Sequence, residues 1–160
     1  MVLRLIAESY LRLAAAEPRV RKKFNYIKAY EYAQRLAAVT PHDLGAANLV
    51  GRAALGAGRL DQAENVFKHV LSINPCHCYA LANLGRTYMA SARLADAEAY
   101  LRSASACAPR MTAIWESLGD LYLALGKPQE AAAAYRRVEE IEPTQTASEL
   151  PATVPVFQPR

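Results

Sequence analysis

Apolar and polar residues follow one another along this 160-residue chain with the period of amphipathic α-helices, and the helical pattern itself recurs. The segments NLVGRAA, LANLGRTY and IWESLGDLY align because their glycines, Gly51, Gly85 and Gly119, are spaced 34 residues apart. The same spacing joins three further sets: Ala63, Ala97 and Ala131; Phe67, Leu101 and Tyr135; and Pro75, Pro109 and Pro143. The pattern predicts three units over residues 44–143, each made of two antiparallel helices.

The recurring small residues predict where the two helices of a unit touch. A glycine inside a helix costs about 1 kcal/mol relative to alanine, so we expect Gly85 to lie where a side chain has no room. Ala97 follows on the second helix, and a glycine facing an alanine lets two helices pack at the short end of the usual range of about 8–10 Å. Pro109 then ends the second helix, because proline cannot continue it.

Glycine and proline also mark the turns inside the units. Gly58 and Gly126 interrupt the helical pattern in GRLDQAE and GKPQEAA, and Pro128 is suited to the first position of a helix. Asp61 and Glu64 have the spacing of a capping box, which predicts Asp61 as the N-cap residue of its helix.

A repeat of about 34 residues that carries W-x₂-L-G-x₂-Y, then A-x₃-F, then P is the pattern of a helix-turn-helix solenoid. The unit that begins with IWESLGDLY carries the first of these motifs in full, and the chain resembles the tetratricopeptide repeat family over residues 44–143. The resemblance implies an all-α fold, a right-handed superhelical solenoid of antiparallel helix pairs. Its three clear repeats are expected at residues 44–77, 78–111 and 112–143.

Residues 1–43 fit the repeat pattern poorly and predict a divergent N-terminal helical hairpin. Pro18 interrupts the helical pattern, so we expect one helix over residues 2–16 and a second over residues 19–39. The first of these carries an apolar stripe made of Leu3, Ile6, Tyr10 and Leu13. Terminal repeats commonly depart from the repeat pattern because one of their faces has no neighbour.

Residues 144–160 have no helical period and contain three prolines, which predicts an extended tail. Its large apolar residues are Leu150, Val154, Val156 and Phe157. Two interpretations remain open. The tail is disordered, as its composition favours, or it folds over the last hairpin of its own or a neighbouring molecule.

The chain has no run of apolar residues long enough for a membrane span, so membrane insertion is not expected. Arg4, Glu8 and Arg12 interrupt the apolar residues near the N-terminus and argue against a signal peptide. We therefore expect a cytoplasmic protein, and the abundance of arginine and alanine is typical of a GC-rich bacterial source.

The net charge is +4, and a basic run stands near the N-terminus. It consists of Arg19, Arg21, Lys22, Lys23 and Lys28, interleaved with Phe24, Tyr26 and Tyr30. Such a run fits a nucleic acid or an acidic partner, or simply a solvated helix start with aromatic residues packed inward. We favour the second interpretation and do not expect nucleic-acid binding.

The sequence contains no arrangement of residues that predicts catalysis, a cofactor or a metal site. Cys76, His77 and Cys78 are adjacent, but a metal site needs about four converging ligands. The repeat pattern brings Cys78 and Cys107 near each other, and reduced packing residues are the simpler interpretation of all three cysteines. We therefore expect a protein that is not an enzyme.

The family resemblance implies that the first helices of the repeats line a concave groove that binds peptides. The expected partner-binding residues are Asn48, Arg52, Leu55, Tyr79, Asn83, Arg86, Met89, Glu116, Asp120 and Leu123. The family's carboxylate clamp for chaperone C-termini wants Lys, Asn, Asn, Lys and Arg, and only Asn83 matches, so that activity is not expected. Asp120 and Arg86 have a second interpretation, since they are one repeat apart and suited to pair with each other.

Three functional hypotheses follow. The leading one is a non-enzymatic interaction module that binds a partner peptide or helix in the concave groove. The second is a small bacterial secretion chaperone or complex-assembly factor. The third is a self-assembling scaffold that forms a homo-oligomer through the terminal repeats, because the first hairpin is basic and the last repeat acidic.

Overall fold

The structure is a computed structural model that describes residues 1–16 and 19–142, and all regular structure in that part of the chain is helical. Its helices are α1 (Val2–Ala16), α2 (Arg19–Val39), α3 (Leu44–Gly56), α4 (Leu60–Ile73), α5 (Cys78–Ala90), α6 (Leu94–Cys107), α7 (Thr112–Ala124) and α8 (Pro128–Ile141). This confirms the all-α fold and the helix pairs expected from the 34-residue spacing. The expectations for the tail concern residues outside the described part.

The helices form two layers. Successive helices pack as antiparallel pairs, and α1, α3, α5 and α7 also contact one another in sequence. Within the described residues, no such contact joins α2, α4, α6 and α8 to one another. The layer of α1, α3, α5 and α7 is therefore closer-spaced than the layer of α2, α4, α6 and α8, and the stack curves with α3, α5 and α7 on its concave side. We call the first the inner layer and the second the outer layer.

The regular spacing of the glycines has a packing reason in addition to the one expected. A Cβ atom on Gly85 would lie 2.6 Å from Cγ of Leu101, whereas the nearest atom of Ala97 is its carbonyl oxygen at 3.3 Å. At Gly51 and Gly119 the added atom would lie 2.5 Å from the rings of Phe67 and Tyr135. Each glycine thus mainly accommodates the large residue one turn beyond the alanine, and Gly85 also approaches the backbone of Ala97, as predicted.

The turns inside the repeats require a left-handed backbone. Gly58 and Gly126 have φ angles of +78° and +70°. The equivalent residue of the middle repeat is Ala92, with φ of +60°, a conformation that costs an L-residue about 1–2 kcal/mol. The middle repeat therefore carries a strained turn that its neighbours avoid with glycine.

Side chains cap the N-termini of two helices, α3 and α5. Asp43 accepts hydrogen bonds from the backbone N–H groups of Gly45 and Ala46, and it also pairs with Arg4 of α1. His77 caps α5, because its Nδ1 accepts from the N–H of Ala80 at 3.1 Å.

The predicted capping box at the start of α4 is wrong. Arg59 occupies the N-cap position without a side-chain bond, and Asp61 lies inside the first turn, where its charge favours the helix dipole instead. Pro128 does begin α8, as predicted.

Polar side chains connect adjacent helices at the junctions between the later repeats. The hydroxyl group of Tyr88 on α5 donates to Glu64 on α4 at 3.0 Å, and the Arg93 guanidinium lies 4.2 Å from the Tyr88 ring centre. One repeat later, Tyr122 and Glu98 lie 3.5 Å apart beneath Lys127. Burial, followed by the hydrogen bond to Glu64, raises the pKa of Tyr88.

The junction between α2 and α3 has the tyrosine on the opposite helix. Ala54 stands on α3 where the later repeats have tyrosine, and the buried Tyr30 stands on α2 where they have glutamate. Arg59 lies 4.6 Å from the Tyr30 ring centre, as Arg93 lies over Tyr88. The first hairpin therefore continues the stack with a different arrangement of side chains.

None of the described helices combines the length and the apolar character that a membrane span needs.

Candidate binding groove on the concave face

Two arginines stand one repeat apart on the concave side. Arg52 lies on α3 and Arg86 on α5, and both are exposed. Among the described residues, neither is within ion-pairing distance of a carboxylate. Both guanidinium groups therefore keep their donors available to a ligand.

The two asparagines expected beside these arginines are partly used by the protein itself. Asn48 and Asn83 are 9% and 6% exposed, and Nδ2 of Asn83 donates to Oδ1 of Asn48 at 3.3 Å. This bond joins α3 to α5 inside the inner layer. Asn83 still lines the cavity described next, whereas Asn48 does not.

A cavity of about 210 Å³ opens between α1, α2, α3 and α5. Its lining residues are Leu11, Ala15, Tyr26, Arg52, Leu55, Gly56, Asn83 and Arg86. Four of these, Arg52, Leu55, Asn83 and Arg86, are residues that the sequence placed in the groove. The structure brings these four together and adds the first hairpin as a wall.

Tyr26 and Gly56 were not among the predicted groove residues, although Tyr26 belongs to the basic run near the N-terminus. A Cβ atom on Gly56 would clash with the ring of Tyr26, so the missing side chain gives the tyrosine its place against α3. The equivalent positions of the later repeats hold Ala90 and Ala124. A glycine at one repeat position where the others have alanine was the available signal.

The cavity continues into two neighbouring depressions, and the whole region is basic. One depression, of about 410 Å³, shares Arg52 and adds Glu8 and Arg12. The other, of about 300 Å³, shares Tyr26 and Gly56 and adds Lys22 and Lys23. Together they form a surface that we call the basic groove, with five cationic side chains and one carboxylate among its lining residues.

The remaining predicted residues lie outside the basic groove. Tyr79 is 56% exposed and meets the ring of His77 edge-on at 6.2 Å between centres. Met89 is half-buried against the core. Both lie on α5, and neither lines the basic groove.

At the α7 end of the concave face, Asp120 is hydrogen-bonded to α8 and, in the described part of the chain, does not pair with α5. Asp120 accepts a hydrogen bond from the hydroxyl of Tyr135 at 2.6 Å, and this bond, with partial burial, raises the pKa of Tyr135. Within the described residues Asp120 makes no ion pair with Arg86, so the pairing interpretation is wrong. Glu116 and Leu123 are exposed beside it.

In the described part of the chain, no group of three or more His, Cys, Asp or Glu residues is arranged to hold a metal ion.

Sequence models of the tetratricopeptide repeat match residues 44–76 and 83–146, which together make up more than half of the chain. No curated protein sequence matches the chain significantly.

Solved structures share the fold. A thermophilic TPR protein from Thermus thermophilus aligns with a TM-score of 0.71 at 22% identity, over 86% of this chain and 75% of that one. MamA from Desulfovibrio magneticus aligns with a TM-score of 0.66 at 19% identity, over 88% and 78%. The first TPR of Spaghetti (RPAP3), bound to the HSP90 peptide SRMEEVD, aligns with a TM-score of 0.60 at 24% identity, over 64% and 82%.

Proposed function

The chain belongs to the tetratricopeptide repeat family, and we propose that it is a non-enzymatic interaction module that binds an acidic segment of a partner protein in the basic groove. The TPR fold serves protein–protein interaction in general. The proposal adds the position of the site and the charge of the partner.

The observation that carries the proposal is the pair of unpaired guanidinium groups in one cavity of the described structure. Arg52 and Arg86 line the same 210 Å³ space, and Leu55 and Tyr26 give that space apolar walls. A guanidinium group binds a carboxylate through two parallel hydrogen bonds, which gives both affinity and orientation. Arginine beside an aromatic residue is also the composition typical of energetically important interface positions.

The charge around this cavity favours an acidic partner. Arg12, Lys22 and Lys23 extend the positive surface on both sides, and Glu8 is the one carboxylate in the lining of the three depressions. Opposite charges across an interface raise the rate of association and disfavour wrong partners. An extended segment with two or more Asp or Glu residues has the complementary pattern.

One protein of similar fold supports this chemistry. The first TPR of Spaghetti is bound to a peptide whose sequence, SRMEEVD, contains three carboxylate side chains. Only one of the five residues of the family's carboxylate clamp is present in this chain, as Asn83, so we do not propose the same peptide. The proposal takes from that neighbour only that an acidic segment suits the fold.

Site-specific cross-linking tests the proposal. Leu55 is replaced by a photoreactive benzoylphenylalanine, the purified chain is used to capture a partner from the source cells, and the cross-linked peptide is sequenced. The matched control carries the same probe at Arg136, which is exposed on α8 of the outer layer. We expect the Leu55 probe alone to label one partner segment, and that segment to be rich in Asp and Glu. Equal labelling from both positions, or a labelled segment that is basic, would contradict the proposal.

A second candidate function is self-association through the N-terminal end of the stack. The outer face of α1 exposes Val2, Leu5 and Leu13 at 68%, 54% and 48%, and these residues line a mainly apolar depression of about 290 Å³. Contiguous exposed apolar surface commonly marks an interaction site. Sedimentation of the parent and of a Leu5→Glu, Leu13→Glu variant tests this candidate. A parent that is monomeric at all concentrations rules it out.

A further inference from the structure

Two cysteines before and at the start of α5 and a third at the end of α6 lie at one edge of the stack. Cys76 lies in the turn between α4 and α5, Cys78 begins α5, and Cys107 ends α6. Because α5 and α6 are antiparallel neighbours, the start of α5 lies beside the end of α6. The side chains of Cys76 and Cys107 are close enough to interact, and Cys78 is close enough to act on Cys107 through its charge.

The repeat pattern does not require thiols at these positions. Ile73 and Ile141 stand where the middle repeat has Cys107, and His42 and Arg110 stand where it has Cys76. An apolar side chain therefore suits the end of the outer helix. Cys76 and Cys107 are nevertheless both exposed, which leaves their sulfur atoms open to reagents in solution.

A metal ion is a poorer explanation of the cluster than oxidation. No group of three ligating residues within the described part of the chain is arranged for a metal. His77, between the two cysteines of the turn, already uses its Nδ1 as the N-cap acceptor for Ala80. Two neighbouring thiols that lack the further ligands of a metal site have disulfide formation as their characteristic chemistry.

We propose that Cys76 and Cys107 form a redox modification site, which small disulfides of the glutathione type convert to an intramolecular disulfide. In the first step a cysteine thiolate attacks glutathione disulfide, so that a mixed disulfide forms and one glutathione leaves. In the second step the other cysteine thiolate attacks the protein sulfur of that mixed disulfide, and the second glutathione leaves. The protein loses two electrons and two protons, and one glutathione disulfide becomes two glutathione molecules.

Partial desolvation, and then the neighbouring side chain of Cys76, raise the pKa of Cys107. Because the thiolate is the attacking species, the raised pKa slows attack by Cys107 at neutral pH.

The turn that holds Cys76 gives the pair freedom to close. A disulfide needs sulfur atoms about 2.05 Å apart and Cα atoms about 4.4–6.8 Å apart. Cys76 lies outside both helices, and its backbone N–H donates only to the side chain of Asn74, at 3.2 Å. The turn therefore moves toward Cys107 without breaking a helical hydrogen bond.

The new bond encloses α5 and α6 in one covalent loop. These helices are the whole second repeat and carry Tyr79, Asn83 and Arg86. Closing a loop of this length restricts the unfolded chain, and we expect the melting temperature to rise by roughly 5–10 °C on oxidation.

The test treats the reduced full chain with glutathione disulfide, blocks remaining thiols with N-ethylmaleimide, and measures intact mass and linked peptides. We expect the parent to lose two hydrogen atoms and keep one thiol that can be blocked. The linked peptides should join Cys76 to Cys107. The Cys78→Ser variant should close the same disulfide and keep no thiol.

Cys107→Ile is the matched control, because isoleucine stands at this position in the other repeats. It should melt near the reduced parent, form no internal disulfide, and accept glutathione as a mixed disulfide. An internal disulfide that forms equally well in Cys107→Ile would overturn the assignment. A parent that gives only glutathione adducts or disulfide-linked dimers would also overturn it.

Discussion

The junction between α2 and α3 differs from the two later junctions in how much of its polar surface the protein itself satisfies. At α4–α5, Tyr88, Glu64 and Arg93 bond to one another, and Lys68 adds a further ion pair to Glu64 at 2.7 Å. At α2–α3 the stacking of Arg59 on Tyr30 is retained. Beside it, however, the first hairpin opens the 210 Å³ cavity, whose two arginines have no carboxylate partner among the described residues.

The two kinds of junction separate residues that hold the stack together from residues that shape the candidate site. Residues that obey the repeat pattern mainly serve packing between neighbours. Tyr26 and Gly56 depart from the pattern together, and their departure shapes the wall of the cavity. Substitutions at the later junctions therefore test stability, and substitutions at the first junction test binding.

The largest effect on stability is expected at a regular repeat. Gly85→Leu places a side chain where Cγ of Leu101 would lie 2.6 Å from the new Cβ, and we expect a loss of about 1–3 kcal/mol in urea unfolding. Gly56→Leu should cost less, because Tyr26 is half-buried at the surface and has room to move away. A Gly85→Leu protein as stable as the parent would show that the two helices do not pack as described.

A smaller effect is expected from the polar cluster at α4–α5. The hydrogen bond from Lys68 lowers the pKa of Glu64; partial desolvation opposes this shift, and the hydrogen bond from Tyr88 supports it. A carboxylate whose pKa is lowered by folding stabilises the fold fully at pH values above its ordinary pKa of 4.5. It loses that contribution as the pH falls through its pKa in the folded protein.

We therefore expect Glu64→Gln to cost about 1 kcal/mol at neutral pH and progressively less below about pH 4. Chemical unfolding of parent and variant across this range checks the sign. A difference between the two proteins that grows on acidification would refute the role given to Glu64. Asp43 adds to the acid sensitivity of the parent: desolvation acts to raise its pKa, but hydrogen bonds from Ala46 and Gly45 and the charge of Arg4 lower it overall.

A substitution in the strained turn of the middle repeat is expected to raise stability. Ala92→Gly relieves a φ of +60°, and we expect the protein to become more stable by about 0.5–1 kcal/mol. Gly126→Ala is the matched reversal, since Gly126 has the same role with φ of +70°, and it should lose a similar amount. Thermal melts of the two variants that shift in the same direction would contradict this account of the turns.

The sequence predicted the fold well because the fold depends on a local pattern that occurs three times. The spacing of Gly51, Gly85 and Gly119 was sufficient to place six helices, although it did not show that the glycines face Phe67 and its equivalents. That contact depends on the rotation of one helix against the other, which spacing alone does not determine.

The candidate site was predicted less completely, for two physical reasons. Arg52 and Arg86 follow the repeat and were found by analogy, whereas Tyr26 reaches α3 from outside the repeats. Burial also decides the role of amides: Asn48 and Asn83 looked equally suited to a ligand, but they bond to each other once α3 and α5 pack.

The smallest expected effect on stability is that of Arg52→Glu, which should leave the melting temperature near the parent value. Arg52 is exposed, and no ion pair is lost with it among the described residues. Substitutions of this kind usually stay within about 0.5 kcal/mol. A large drop in the melting temperature would mean that the arginine serves the fold.

The most direct test of the central claim is calorimetric titration of the cross-linked acidic segment, made as a peptide, into the parent, Arg52→Glu and Arg136→Glu. Arg136 is a suitable control because it is exposed on α8, away from the basic groove. We expect Arg52→Glu to weaken binding by on the order of 2 kcal/mol, roughly 30-fold, and Arg136→Glu to bind like the parent. Equal affinities of the two variants would contradict the claim that the basic groove is the binding site.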